Sequence, residues 1–431
     1  MREDYLHYLW RLKKFDQTEL KTTLGEPITI RQYGTLNTNA GPDFLNARLT
    51  IGTTEWAGNV EMHLQSSDWL KHGHSDDLAY GNVILHVVLR EDVPIKNRHG
   101  ERIPCLELHD RLPPALHARY LRLLHEQGPI PCHRLIAQAS LPALPMWLDR
   151  LSIERLERKS SDVKLTLEHT RYDWEVTLLR TLAKYYGGPV NGAAFESMIE
   201  RLPLPLLLRE RERMDAIIFG QAGMLTPLKG EPDDYHAQLT QAYTHLQRKH
   251  GLTPLPAVIF KFARLRPAGF PTVRLAQLAA LLRQAAPLFS HIRRTTEVSS
   301  LETLFATPAD PYWDARYRFG AEAKQATAKP KAPGQGLVHA LIINAVVPVL
   351  FTYAQLHDDT VLQERVMEWL HQLKGERNTI TRMWKELGIS ATTAHQSQAL
   401  IQLKKTYCDA YRCLSCSIGN RLLSAAPDSE K

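Results

Sequence analysis

Acids and histidines crowd one strand-like stretch, Gly41 to Leu89. It opens Gly41-Pro42-Asp43-Phe44 and continues through Trp56-Ala57-Gly58-Asn59-Val60-Glu61-Met62-His63-Leu64, where strand alternation puts Glu61 and His63 on one face. A polar segment follows, with His72 and His74 around Gly73 and then Asp76 and Asp77, before an apolar run from Asn82 to Leu89 that contains His86. An acid leading one strand, and an acid with an imidazole two residues on along the next, suit a divalent metal, with Asp43 and Glu61 as ligands. His63 is mostly neutral at pH 7, so it can take a proton from water or bind the metal itself; as a ligand it tilts the site from Mg²⁺ toward Mn²⁺ or another transition metal. The competing reading has Asp43 closing the Gly-Pro turn and Glu61 facing solvent. His72 and His74 either extend the site or lie on the surface. His86 shares a face with Ile84 and Val88 and is expected to be buried, as a core histidine or as a support behind Glu61 and His63.

A second constellation lies near the other end, where Tyr407 to Cys416 spaces Cys408, Cys413 and Cys416 with four and then two residues between them. Three thiols need a fourth ligand, and Cys132, beside His133, supplies it. Spacing does not separate Zn²⁺ from [4Fe–4S]. The competing reading is three partly buried cysteines on a terminal helix, since no Gly or Pro breaks the segment. Phe260 to Arg274 interleaves cations with aromatics and loop formers, so that Arg264, Arg266 and Arg274 either seat phosphates beside stacked bases or close carbonyls at a helix junction. Glu376 and Gln398 are read as part of a solvated face or as interhelical hydrogen-bonding groups.

The elements that must position these residues are legible from periodicity. Residues 3 to 14 place Tyr5, Leu6, Leu9 and Trp10 at helical spacing, with Glu3 and Asp4 in the first turn where the helix dipole favours acids. Strands are expected over Pro27 to Tyr33, Leu45 to Ile51, the Glu61 stretch and the His86 stretch, with a short helix between the last two. A hairpin is expected around Asn97-Arg98-His99-Gly100, with Ile103 to Leu108 returning. From Pro113 the period becomes helical, and Asp173 caps a helix expected to stop at Gly187-Gly188. Glu322 to Gly336, rich in Ala, Lys, Pro and Gly, reads as a mobile loop or linker. The expected class is α+β, divided into a mixed sheet domain over residues 1–112, a helical domain over 113–321, the linker at 322–336 and a helical segment with the cysteine cluster over 337–431.

Composition bounds the partners. The chain has 431 residues, 44% apolar, with 53 Lys and Arg against 46 Asp and Glu and a net charge of +7. This is ordinary for a globular protein and excludes a disordered one; the modest basic excess suits a polyanion. Met1-Arg2-Glu3-Asp4 leads straight into the first helix without a leader-like stretch, and the apolar run from Leu337 to Ala354 is interrupted by His339, Asn344 and Pro348. No membrane partner is therefore expected, and the setting is read as cytoplasmic. Five cysteines, an odd number, argue against a disulfide framework.

The order helix, three strands, helix, strand, with Pro42-Asp43 and Glu61-Met62-His63, resembles the PD-(D/E)xK nuclease superfamily over about the first ninety residues. The resemblance implies that Asp43 and Glu61 hold Mg²⁺ or Mn²⁺ with the Met62 carbonyl, that His63 takes the place of the family's lysine, and that Glu3 or Asp4 matches a further acid on the first helix. It implies hydrolysis of a phosphodiester in DNA or RNA, with the helical region shaping a nucleic-acid channel. The two alternatives are an inactive nucleic-acid-binding or scaffold protein that keeps the fold, and a hydrolase of another phosphoester. The lone Cys132 with three terminal cysteines is similar to the iron–sulfur staple of some of these nucleases. Asn39 to Phe44, Gly58 to His63, Ser67-Asp68-Trp69, His72 to His74, Asn82 to Val88, Arg264 to Arg274 and the terminal cysteines together also resemble a bacterial family of unknown function.

Overall fold

The computed structural model describes residues 1–37, 39–126, 128–136, 141–227, 233–322 and 328–424. The chain forms two compact units, one made of Met1–Leu144 with Lys404–Lys431 and the other of Pro145–Leu403. The expected divisions at residues 112, 321 and 336 do not coincide with these units, because the terminal segment from Lys404 packs with the amino-terminal one.

The first unit is built on α1 (Glu3–Arg11) and a six-stranded mixed sheet. Tyr5, Leu6, Leu9 and Trp10 of α1 are buried, Tyr5 stacking on Tyr120 at 4.1 Å and Trp10 donating its indole N–H to the Tyr33 carbonyl. The helix ends earlier than its period suggests, at Arg11, and Lys13 beyond it takes a left-handed φ of 54°. The strands are β1 (Ile28–Gln32), β2 (Thr35–Leu36), β3 (Phe44–Ile51), β4 (Thr54–Gln65), β5 (Val83–Arg90) and β6 (Cys105–Glu107). Their order is β1-β3-β4-β5-β6, with β2 added along β3. β1, β3 and β4 run antiparallel, whereas β5 and β6 run parallel to β4. The parallel step needs a crossover, which α2 (Asp68–Lys71) and the loop after it provide. With both faces covered, β5 buries five consecutive residues, Ile84 to Val88, and reads as continuously apolar except for His86. The turn expected at Asn97 to Gly100 forms, closed by an Ile103 N–H to Ile95 carbonyl bond, but the returning strand then pairs β5 in parallel. Gly58 sits where β4 meets the start of β5, and a Cβ there would lie 2.5 Å from Ile84 and 2.6 Å from the Asn82 carbonyl oxygen.

The second unit is helical. Its first long helix is α5 (Leu144–His169) and its second α6 (Trp174–Glu200), capped as expected by Asp173, whose carboxylate accepts the Val176 N–H at 3.0 Å. The expected stop at Gly187-Gly188 is instead a kink. Gly188 takes φ 62°, Pro189 follows, and the helix resumes. A short hairpin, Arg316–Arg318 with Ala321–Glu322, lies where the expected helical domain meets the expected linker. Of the expected linker, residues 323–327 lie outside the described residues. The part from residue 328 onward is held in place, since the Lys331 carbonyl accepts from Ala309 N–H and the Gln277 amide. Gln335–Leu356 is apolar and long enough to cross a membrane by length and composition, and 78% of its apolar window is buried.

One polar network is buried in this helical core. Arg155 and Lys159 of α5 both donate to the Gln398 side-chain oxygen, Lys159 also to Asn344, and Gln398 and Asn344 donate in turn to Glu376. Asn344 lies in a π-helical turn, Ile342–Val346. Gln398, on the helix Ala394–Gln402, is buried and hydrogen-bonded as in the second reading, whereas Glu376 lies in the loop before the helix Thr379–Glu386 and bonds from there. Burial lowers the Lys159 pKa well below its usual value and that of Arg155 to about 10. The Glu376 carboxylate opposes both shifts electrostatically and reaches the two side chains through Gln398 and Asn344.

Candidate metal centre

β4 and β5 set the floor of the site. Their parallel register pairs Glu61 with His86 and His63 with Val88, so alternation sends the side chains of Glu61, His63 and His86 to one face. Over that face lie α2 and the loop to Tyr80. Trp69 is buried, its indole N–H reaches Ser75, and its ring packs 5.3 Å from His86 and 5.4 Å from His74. Gly73 takes φ 73° between His72 and His74, a left-handed turn that lets both imidazoles double back over β4. Tyr80 stacks on His74 at 3.8 Å.

Ring nitrogens of His63, His72 and His74 all lie within 4.8 Å of one another. His63 Nε2 is 3.1 Å from His72 Nδ1. Glu61 Oε1 stands 3.7 Å from His63 Nε2 and 3.4 Å from His74 Nε2. Bonds of about 2.0–2.2 Å to a tetrahedral or octahedral transition metal set neighbouring ligand atoms roughly 3–3.6 Å apart, so the His63–His72, His63–Glu61 and His74–Glu61 separations are each close to those of two ligands on one cation. Behind them, His63 Nδ1 and His86 Nε2 are 2.9 Å apart. For His63 to offer Nε2 as a lone pair, its proton must sit on Nδ1 and be donated to His86, whose own Nδ1 is buried without a hydrogen-bond partner. His86 is thus buried as expected and touches His63 directly. Burial, then the neighbouring imidazoles, lowers the pKa of His63 to about 3; burial, then His74, does the same to His86. Both are neutral, the form that binds metal.

Asp43 stands next to this group and is not among the three histidines' set. Its N–H donates to Glu61 Oε2 at 3.1 Å, and its Oδ2 accepts the Met62 N–H at 3.0 Å while lying 3.1 Å from His7 Nε2. Asp43 and Glu61 therefore meet, as the sequence suggested, but one oxygen of Asp43 is committed to the backbone of Met62. The solvent-facing alternative for Glu61 does not hold: it is 4% exposed. Burial first, and then Asp43, raises the Glu61 pKa to about 9. Glu3 is raised to about 7, by burial and then Asp43. For His7, burial works downward, but Asp43 with Glu3 and Asp4 more than offsets it and the pKa rises. Glu3 and His7 are four residues apart on α1 and share a face, a helical spacing that the sequence displays but that the reading of acids alone passed over for His7. Tyr80 was likewise missed, since nothing short of the loop geometry brings it to His74.

These shifts make the metal-free site responsive to alkali. A carboxyl raised in the folded state ionises in the unfolded chain first, so stability falls as pH rises from the ordinary carboxylate range toward the folded pKa. The neutral imidazoles act in the opposite sense only below about pH 6.5. Above that, Glu61 and the raised His7 act in the same direction while Glu3 contributes only to about pH 7, and urea denaturation should show a loss of about 2–3 kcal/mol over two pH units from Glu61. Added Mn²⁺ or the change Glu61→Gln should flatten the profile, whereas a flat profile in the metal-free wild type contradicts the assignment.

The four cysteines Cys132, Cys408, Cys413 and Cys416 all belong to the first unit and are all buried. The segment does not run as one helix. A π-helical turn ends at Cys408, Tyr411 takes φ 52°, and Cys413–Ser415 forms a 3₁₀ turn. That left-handed tyrosine does what a glycine was expected to do. The arginines expected to contact nucleic acid belong to the second unit and differ among themselves: Arg264 and Arg266 are exposed, while Arg274 turns inward, pairs with Gln277 and is lowered in pKa chiefly by burial, with Tyr186 nearby. Arg274 thus differs from the other two in being half-buried with a side-chain partner.

Fold and site together define an α+β protein in which His63 of the mixed sheet and His72 and His74 of the segment over it form one candidate donor group, with Glu61 beside His63 and His74. The chain belongs to a family described as protein of unknown function (DUF2851), whose sequence profile matches residues 3–379. The matched range takes in the whole His63 site and Arg264 to Arg274, and it ends before the terminal cysteines. No curated protein and no solved structure matches the chain, so neither comparison connects its sheet to the nuclease superfamily.

Proposed function

We propose that this protein is a metal-dependent phosphodiesterase acting on DNA or RNA, with Glu61, His63, His72 and His74 holding a transition-metal ion such as Mn²⁺ or Zn²⁺. The observation that carries the reading is the group of three imidazoles, His63 on β4 with His72 and His74 on the segment over it, whose ring nitrogens lie within 4.8 Å of one another, with the Glu61 carboxylate 3.7 Å from His63 and 3.4 Å from His74 and with His72 exposed to solvent. Three imidazoles disfavour Mg²⁺. When bound, such an ion lowers the pKa of a coordinated water and offsets charge building on phosphorus. Asp43 orients Glu61 through its N–H and, against the effect of burial, raises the pKa of His7, which favours that imidazole as a proton donor beside the carboxylates. Five free thiols, with no disulfide, suit a reducing, cytoplasmic setting.

The test is incubation of the purified chain with Mn²⁺, Zn²⁺ or Mg²⁺ on single- and double-stranded DNA and RNA. Cleavage that disappears in Glu61→Ala and His72→Ala supports the proposal. Cleavage that persists in both, or salt-dependent binding without any cleavage, defeats it, the latter in favour of a scaffold.

A further inference from the structure

We propose that Cys132, Cys408, Cys413 and Cys416 together hold an iron–sulfur cluster that fastens the carboxy-terminal segment to the rest of the first unit. Cys132 immediately precedes α4 (His133–Ile136), which follows α3 (Pro114–His125). The last described helix, Ser417–Ser424, packs against both, and Arg119 of α3 donates to the Leu423 carbonyl at 3.2 Å. This docking carries the preceding turn, with Cys413 and Cys416, to Cys132. Gly419 permits it: a Cβ there would stand 2.1 Å from the Cys413 carbonyl oxygen.

The four thiols are within electrostatic reach of one another. Cys132 interacts with Cys413 and Cys416, and Cys408 with all three others. Each is 7–9% exposed, and none forms a disulfide. The remaining cysteine, Cys105 of β6, has Glu91, Glu107 and Arg102 for neighbours. Of the charged groups around the thiols, Asp4 and then Arg2 act on Cys413 in opposite senses, and Lys404, itself paired with Asp409, favours ionisation of Cys408.

Spacing favours a cluster over a single ion. Zinc–sulfur bonds of about 2.3 Å require sulfurs roughly 3.8 Å apart in every pair. Among the described residues, the donor group whose atoms all lie within 4.8 Å is the histidine one, and no three of these sulfurs meet that limit. A wider cage suits a cluster in which each of four irons takes one thiolate.

The test uses the full chain purified without oxygen, with iron, acid-labile sulfide and zinc measured beside the visible absorption spectrum. The expected result is a brown protein with about four irons and about four sulfides per chain. Cys105→Ser should keep the colour, and Cys413→Ala should lose iron and sulfide together. Should Cys413→Ala fail to fold, stripping iron from the wild type with a chelator gives the second readout: bleaching accompanied by a lower melting temperature is expected. Zinc at one per chain without iron, a protein free of both after reconstitution with Fe²⁺ and sulfide, or colour that survives Cys413→Ala would each overturn the proposal.

Discussion

Replacing His72 with alanine is expected to weaken Mn²⁺ or Zn²⁺ binding by roughly 100-fold or more, because losing even an outer-shell partner of a metal site costs about 10–100-fold. His72 is exposed, so its removal leaves the sheet and the Trp69 packing in place, and the melting temperature of the metal-free protein should not move. Calorimetric titration of the metal-stripped protein reads the affinity directly. The contrast with Asp43→Ala is informative. That change deprives the Met62 N–H of its acceptor and frees His7, so it should lower stability while leaving the three imidazoles able to bind. If instead Asp43→Ala abolishes binding and His72→Ala does not, the metal lies on the carboxylate side and the histidine cluster is packing.

The second large effect belongs to the helical unit. Glu376→Ala should destabilise it by about 3–5 kcal/mol, the usual consequence of leaving buried charge without its partner. Lys159 and Arg155 donate to the neutral acceptors Gln398 and Asn344, so Glu376, behind those amides, is the carboxylate whose charge favours theirs. Urea denaturation followed by far-UV circular dichroism measures the loss. Because the penalty comes from unpaired charge, adding Lys159→Met and Arg155→Met to Glu376→Leu should recover most of it, since well-packed apolar replacements of whole buried ion groups are often neutral. A loss in Glu376→Ala below about 1 kcal/mol would place that network on a par with a surface pair.

Much of the scaffold could be read from local pattern. The α1 amphipathic stripe, the alternation that sets Glu61 and His63 on one face, the Asp173 cap and the αL Gly251 that ends the helix Asp234–His250 are local signals, and each forms. The site was only half legible for a physical reason. Strand alternation specifies which residues share a face, but it carries no information about which loop folds over that face. His72 and His74 therefore looked like surface residues as much as ligands, until the φ of Gly73 and the stacking of His74 on Tyr80 turned them inward. The same holds at Tyr411 and Gly188. The first adopts a left-handed turn that its residue type does not advertise, and the second, whose type does advertise a stop, only kinks a helix sustained by the apolar packing around it.

The central claim is that one cation sits among His63, His72, His74 and Glu61, and an anomalous difference map from crystals soaked in Mn²⁺ tests it most directly. The account predicts a peak about 2.0–2.3 Å from a ring nitrogen of each histidine and from Glu61 Oε1. A peak held by Asp43 and Glu61 without the imidazoles, or no peak at saturating Mn²⁺, would contradict it.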